Sequence, residues 1–320
     1  MTELELLTAR ASQVGSLPVT RLLPSRPHRA VGAWCFADLM GPVDLPVGEG
    51  ADVAPHPHCG LQTVTWLFAG EILHRDSLGS EQVIRPSQCN LMTAGHGVAH
   101  SEESESRAGG PVHGIQLWAA QPSVTRDGGA EFEHHDDLPR VSLSGPRGNA
   151  EATVFVGGFA GVESPARRDW EIVGAEVQWR GSVDIPLVAT HEHLVVVIEG
   201  SVAVDGTAIA PGAHAYLPPG LDGATLEAAD DARVVLLGGV PFPEELTMWW
   251  NFVARSREEI GEAWQQWSEG DSRFPSVASP LPRTEVAPPA WFSGGGRWRA
   301  SRRGVGGRRG PWPTSRTRHE

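Results

Sequence analysis

Ile84-Arg85-Pro86-Ser87-Gln88-Cys89-Asn90-Leu91-Met92-Thr93-Ala94-Gly95 and Ile209-Ala210-Pro211-Gly212-Ala213-His214-Ala215-Tyr216-Leu217-Pro218-Pro219-Gly220 share one order of parts. Each runs from an apolar residue through a proline turn into a short strand and a glycine loop. Upstream, Phe68-Ala69-Gly70-Glu71-Ile72 matches Ile198-Glu199-Gly200-Ser201-Val202, a strand that ends at glycine and returns as a hairpin. Identity between the copies is low, but their order is kept, which predicts two copies of one small β-barrel. Between about residues 15 and 245, short apolar runs are broken by Gly, Pro, Asn and Asp. Leu61–Phe68, Gly114–Trp118, Leu194–Ile198 and Arg233–Leu237 are examples. That punctuation indicates an all-β chain rather than βαβ units.

The expected divisions follow. Residues 1–138 form the first barrel, 139–150 a Pro/Ser/Gly/Asn-containing linker, and 151–245 the second barrel. Residues 246–272 hold one helix. Ser256-Arg257-Glu258-Glu259 reads as a capping box. Ile260, Ala263, Trp264 and Trp267 then fall on one helical face and are expected to dock on a barrel. Residues 273–320 are expected to be a disordered tail, since 293–320 is Arg/Gly/Pro-rich without an apolar period.

The 320 residues contain 26 Arg and no Lys against 39 acids, a formal charge of −13. Residues 293–320 carry eight Arg and one acid, so the remainder stands at −20. An acidic body argues against nucleic acid and anionic membranes as its partners. The apolar runs are too short to span a membrane. Met1-Thr2-Glu3-Leu4-Glu5 lacks the basic and apolar regions of a signal peptide. Cys35, Cys59 and Cys89 are too few for a disulfide framework, and a cytoplasmic protein with reduced thiols is expected.

Chemistry concentrates in the first copy. His56-Pro57-His58 places two imidazoles at i and i+2, which share one face of a strand. His100-Ser101-Glu102 repeats the spacing on a later strand. Side by side in a barrel, His56, His58, His100 and Glu102 form an N/O set suited to Fe(II), Mn(II), Ni(II), Cu(II) or Zn(II). Four such groups facing inward without a cation would carry a large desolvation cost. On a six-coordinate ion they leave two positions for substrate and dioxygen or water. In the second copy the equivalent positions are Pro186, Val188, Thr225 and Glu227, so only one of the four keeps a ligand-type side chain. His191-x-His193 falls at the wrong distance from its glycine and is not read as a metal pair.

The run from His56 to Thr65 resembles the signature of the pirin family. So do Leu91–Glu102, Gly114-Ile115-Gln116-Leu117-Trp118 and Phe36-Ala37-Asp38-Leu39-Met40-Gly41-Pro42. The resemblance spans about residues 3–270. It implies a bicupin, two tandem cupin-type β-barrels with an active N-terminal and a degenerate C-terminal copy. It also implies that His56, His58, His100 and Glu102 bind iron, and it makes Fe(II) the expected cofactor. Bacterial pirins include enzymes that oxidise flavonols such as quercetin with dioxygen; animal pirins are redox-responsive protein partners.

Three positions depart from the family pattern: Gln62 where Glu is usual, Cys59 where Arg is frequent, and His96 where Arg is frequent. By strict alternation from His58, Gln62 faces the metal and Cys59 points away. His96 is placed at the pocket mouth or on a solvated loop. Val64 and Trp66 are expected on the inward face, against an aromatic substrate or as barrel filling. The resemblance implies a flavonol dioxygenase in which Glu102 takes the substrate's hydroxyl proton. Two alternatives remain: a metal- or redox-dependent binding module acting through a protein partner, and a metal-dependent hydrolase or isomerase on the same scaffold.

Overall fold

The strands arise where β-branched and aromatic residues alternate between two environments, and the glycines between them take the left-handed conformations that tight turns need. The computed structural model describes residues 4–292 except Ser16, Glu105 and Pro146. In the first half these strands are β1 (Glu5–Leu7), β2 (Arg10–Val14), β3 (Leu17–Leu23), β4 (Trp34–Leu45), β5 (Val53–His58) and β6 (Leu61–Ala69). They continue as β7 (Ile72–Asp76), β8 (Glu81–Ile84), β9 (Cys89–Thr93), β10 (Val98–Glu103), β11 (Gly110–Ala120) and β12 (Glu131–His135). In the second half follow β13 (Arg140–Gly145), β14 (Gly148–Phe159), β15 (Val162–Glu163), β16 (Ile172–Pro186) and β17 (Glu192–Glu199). That half ends with β18 (Val202–Val204), β19 (Thr207–Ile209), β20 (His214–Leu217) and β21 (Gly223–Gly239). A hairpin, β22 (Thr247–Trp249) and β23 (Phe252–Ala254), precedes α1 (Arg257–Glu269).

The first half is two antiparallel sheets facing each other. One has seven strands in the order β12-β9-β6-β11-β4-β3-β2; the other has four, β5-β10-β7-β8. The second half is one ten-stranded sheet built around the long β16 and β21. Their pairing breaks between Trp179 and Gly181, where Gly181 takes φ 89°, and it resumes with β18 alongside. Neither half closes into a barrel. Each is a cupin-type β-sandwich, a correction to the expected barrels that leaves the two-copy architecture intact.

The halves share a core. Val64, Trp66, Leu91, Ile115 and Leu117 from the first half pack with Phe155, Leu194, Val196, Val235 and Leu237 from the second. Trp66 stacks on Phe155 at 4.9 Å and donates its indole N–H to Glu176 at 2.6 Å. The N-terminal strand also crosses over, because β1 pairs with β20, Leu7 opposite His214. The segment expected as a linker, 139–150, is largely strand: β13 pairs back on β14. Its Pro/Ser/Gly content hid an alternation in which Val141 and Leu143 pack on the second half's interior.

Ser256 caps α1 by accepting the Glu259 amide, and Gly270 (φ 75°) ends it. Glu259 reaches back one residue further than a capping box requires, to the Arg255 amide at 2.9 Å. Ile260, Ala263, Trp264 and Trp267 are buried, as the spacing predicts. Residues 273–292 do not behave as the expected loose tail: Phe274, Val277, Val286 and Phe292 pack around the helix. The indoles of Trp264 and Trp267 donate to the carbonyls of Val286 and Thr284. Isolated apolar plugs and backbone acceptors hold this strap without any period a sequence reading can detect. Residues 293–320 lie outside the described residues. Among the described residues, no helix is long and apolar enough to cross a membrane.

Candidate metal centre

The four-stranded sheet carries the site. His56 and His58 sit on β5, His100 and Glu102 on β10, and His100 lies directly opposite His56. The three imidazoles are buried, and one nitrogen from each lies within 4.8 Å of the others. Ring centroids are 4.3–5.0 Å apart. Each ring is tethered through Nδ1: His56 to the Ala54 carbonyl at 2.9 Å, His58 to the Asn251 carbonyl at 3.1 Å, and His100 to His74 Nδ1 at 3.3 Å. A carbonyl only accepts, so His56 and His58 carry their proton on Nδ1 and keep a bare Nε2. The Nε2 atoms of His58 and His100 are 3.1 Å apart.

Burial pushes the His56 imidazole down to about 4, and pushes His58 and His100 down as well, with neighbouring imidazoles adding to the effect. Neutral nitrogens converging in a dry cleft are the donor set that borderline divalent cations take. Among the described residues this is the only such group of three. His191 and His193 are buried with rings 5.8 Å apart, and His191 faces Glu171 instead. The interior of the second half is filled by aliphatic residues, Val195, Val197, Leu217, Leu226 and Leu236 among them.

Glu102 stands outside the tight trio. A register shift lies between it and His100, and its carboxylate is 3.4 Å from Thr65 Oγ1 on the facing sheet. Burial raises its carboxyl to about 7, against a smaller opposing effect of the Thr65 hydroxyl. Thr65 in turn lies 2.9 Å from Gln116 Oε1. Trp118 meets the His58 ring edge-on at 5.0 Å and stacks on Phe36 at 4.0 Å, giving the cleft an aromatic wall.

Three pocket expectations are corrected, and His96 takes the solvated-loop alternative. Gln62 does not face the imidazoles: it bonds Thr93, the Arg167 carbonyl and the Asp169 amide on the side of the second half. Val64 and Trp66 belong to the shared core. The reason is Gly60 (φ 69°), where the chain leaves one sheet for the other, so alternation counted from His58 does not carry into β6. The residues of β6 on the cleft side are instead odd-numbered, Thr65 among them. A Cβ at Gly60 would meet the Val253 carbonyl at 2.2 Å, so only glycine fits this crossing. His96 is 59% exposed and lies beside Asp127, without contact to the imidazoles. Cys59 does point away: it is packed among Phe252, Ala263 and Trp264, and burial lifts its thiol to about 11.

The sequence reading missed His74, Asp76, Thr65, Trp118 and the Asn251 carbonyl. One signal was present: His74-Arg75-Asp76 repeats the i, i+2 spacing of the two metal motifs on the third strand of the same sheet. The Asn251 carbonyl arrives from 193 residues away and leaves no local mark.

The pirin sequence profile matches residues 16–119, and the profile of the pirin C-terminal cupin domain matches 172–275. The chain belongs to the pirin family. It is 45% identical over 295 residues to a Pseudomonas aeruginosa protein named "putative quercetin 2,3-dioxygenase", covering 90% of this chain and 91% of that one. A crystal structure of quercetin 2,3-dioxygenase from Acinetobacter baumannii superposes with a TM-score of 0.83 at 38% identity, covering 89% of this pirin and 96% of that chain. A bacterial pirin from Escherichia coli, solved in complex with nickel(II), shares the fold at 15% identity with a TM-score of 0.58, over 75% of this chain and all of that one.

Proposed function

We propose that this pirin is a metal-dependent dioxygenase that opens the ring of a flavonol such as quercetin, with Fe(II) held by His56, His58, His100 and Glu102. The observation that carries the reading is the convergence of three neutral imidazoles beside a half-buried carboxylate and an aromatic wall. The names of its relatives supply the substrate class. Held by these residues, iron would supply Lewis-acid and redox chemistry toward the substrate and dioxygen.

The chain's own groups do the rest. Trp118, held by its stack on Phe36 and edge-on to His58, is the aromatic group beside which a substrate ring would pack. Glu102 takes the substrate's hydroxyl proton. In the metal-free cleft burial lifts its carboxyl to about 7. Once protonated, it donates to Thr65 Oγ1, while the Thr65 hydroxyl donates to Gln116. Leu61, Met92 and Val98, buried in one cluster with Trp118, make the ground behind the aromatic wall apolar.

The test is dioxygen consumption by anaerobically purified, Fe(II)-loaded protein given quercetin, beside a His100→Ala control. Uptake that disappears in the control supports the reading; bound metal without uptake overturns the flavonol.

Proton linkage tests the fourth ligand. At a pH below about 7 the Glu102 carboxyl keeps its proton and a cation must displace it. Ni(II) affinity therefore rises roughly tenfold per pH unit between about pH 5 and 7, then levels. His56, held down to about 4, is neutral across this window and adds no slope. Glu102→Gln abolishes the slope, as read by competition with a chromogenic chelator. A slope retained in that variant removes Glu102 from the ligand set.

A further inference from the structure

His56/His58, His100/Glu102 and His74/Asp76 occupy alternate positions on the neighbouring strands β5, β10 and β7, and Asp76 lies directly opposite His100. The third pair is 4% and 2% exposed and lies outside the metal trio. We propose that Asp76, acting through His74, fixes the tautomer of His100 and so decides which of its nitrogens faces the cation. The inference rests on the ligand reading above.

The assignment follows from donors and acceptors. Asp76 Oδ1 accepts the backbone N–H groups of Leu78 at 2.9 Å and Ser80 at 3.0 Å. Its Oδ2 lies 3.1 Å from His74 Nε2. A carboxylate only accepts, so His74 carries a proton on Nε2 and turns its Nδ1 toward His100. That Nδ1 is 3.3 Å from His100 Nδ1. One proton belongs between them, and His100 supplies it. The Nε2 of His100 is left bare, and it is the nitrogen 3.1 Å from His58 Nε2.

His56 and His58 are fixed by backbone carbonyls, which cannot reverse polarity. His100 alone is fixed by a side chain. Phe132 stacks on His74 at 4.3 Å and 12°, which holds the ring in place for this role. Partners of this kind orient a ligating imidazole and raise its basicity.

Ni(II) affinity of the full-length chain, measured by competition, tests the relay. In Asp76→Asn the amide oxygen keeps the two backbone N–H groups, and its NH2 turns to His74 Nε2. The His74 proton then moves to Nδ1 and meets the N–H of His100. Affinity falls roughly 10- to 100-fold. His74→Phe keeps the stack on Phe132 but removes the conflict, so it binds more tightly than Asp76→Asn. The double variant Asp76→Asn/His74→Phe recovers to the level of His74→Phe. Two merely structural lesions would accumulate instead.

Three results overturn the relay: affinity of Asp76→Asn within twofold of the parent, His74→Phe weaker than Asp76→Asn, or a double variant weaker than Asp76→Asn. Should Asp76→Asn not fold, equal affinities of the parent and His74→Phe overturn it. A His58→Ala control separates the two readings. Lost binding there with Asp76→Asn unaffected removes the relay alone, whereas retained binding there removes the ligand assignment itself.

Discussion

His58→Ala is expected to yield a folded protein that retains almost no divalent metal and takes up no dioxygen with a flavonol. His58 is buried at the centre of the trio, with its Nε2 3.1 Å from that of His100 and its ring against Trp118. Removing it takes away a direct donor, so the loss exceeds the roughly 10- to 100-fold that outer partners contribute. The fold survives because the shared core contains none of the three imidazoles. The freed Asn251 carbonyl belongs to a hairpin still held by the Cys59–Phe252 bridge, one residue beyond β5. Elemental analysis beside a thermal melt checks both halves of the statement. His193→Ala is the matched control: it removes another buried imidazole, from the half without a ligand trio, and leaves metal content unchanged. Full metal content in His58→Ala would remove the ligand assignment.

Glu176→Ala is expected to cost about 3–5 kcal/mol of stability with the metal trio untouched. Glu176 is 5% exposed at the seam between the halves. Its carboxylate accepts the Trp66 indole N–H at 2.6 Å, takes a further hydrogen bond from Gln178, and lies 3.4 Å from Arg233 Nε. Truncation leaves a buried N–H and a guanidinium facing the vacated space, and the unmade bonds cost more than the made ones contributed. At roughly 2–4 °C per kcal/mol, the thermal midpoint falls by about 10 °C. Glu176→Gln keeps an acceptor for Trp66 and loses less. A midpoint within 2 °C, roughly the shift of a single kcal/mol, would show that the seam does not depend on this carboxylate.

The same seam marks where reading the sequence stopped working. The His-Pro-His spacing located two members of the trio because both lie on one strand, where period 2 holds, and His100 falls directly opposite His56 on the next strand; the register shift after His100 leaves Glu102 outside the trio. The period failed at Gly60. A single residue at φ 69° carried the chain to another sheet, and Gln62, Val64 and Trp66 turned toward the second half instead of the imidazoles. The strap at 273–292 was illegible for a different reason: its anchors are single apolar residues and carbonyls, which form no pattern along the chain.

The sequence by itself determined the all-β class, the doubled architecture, the helix and its buried face, the identity of three converging imidazoles and the loss of most ligand-type side chains from the second copy. These are properties of local period, capping and residue type, which short stretches of chain impose on themselves. Tertiary structure alone decided that the halves are sandwiches sharing one core and that β1 crosses to the far sheet. It also decided which nitrogen each imidazole turns toward its neighbours, through the carbonyls of Ala54 and Asn251 and the ring of His74. Those outcomes depend on donors and acceptors brought together from up to 193 residues apart, and no periodicity encodes which of them will meet.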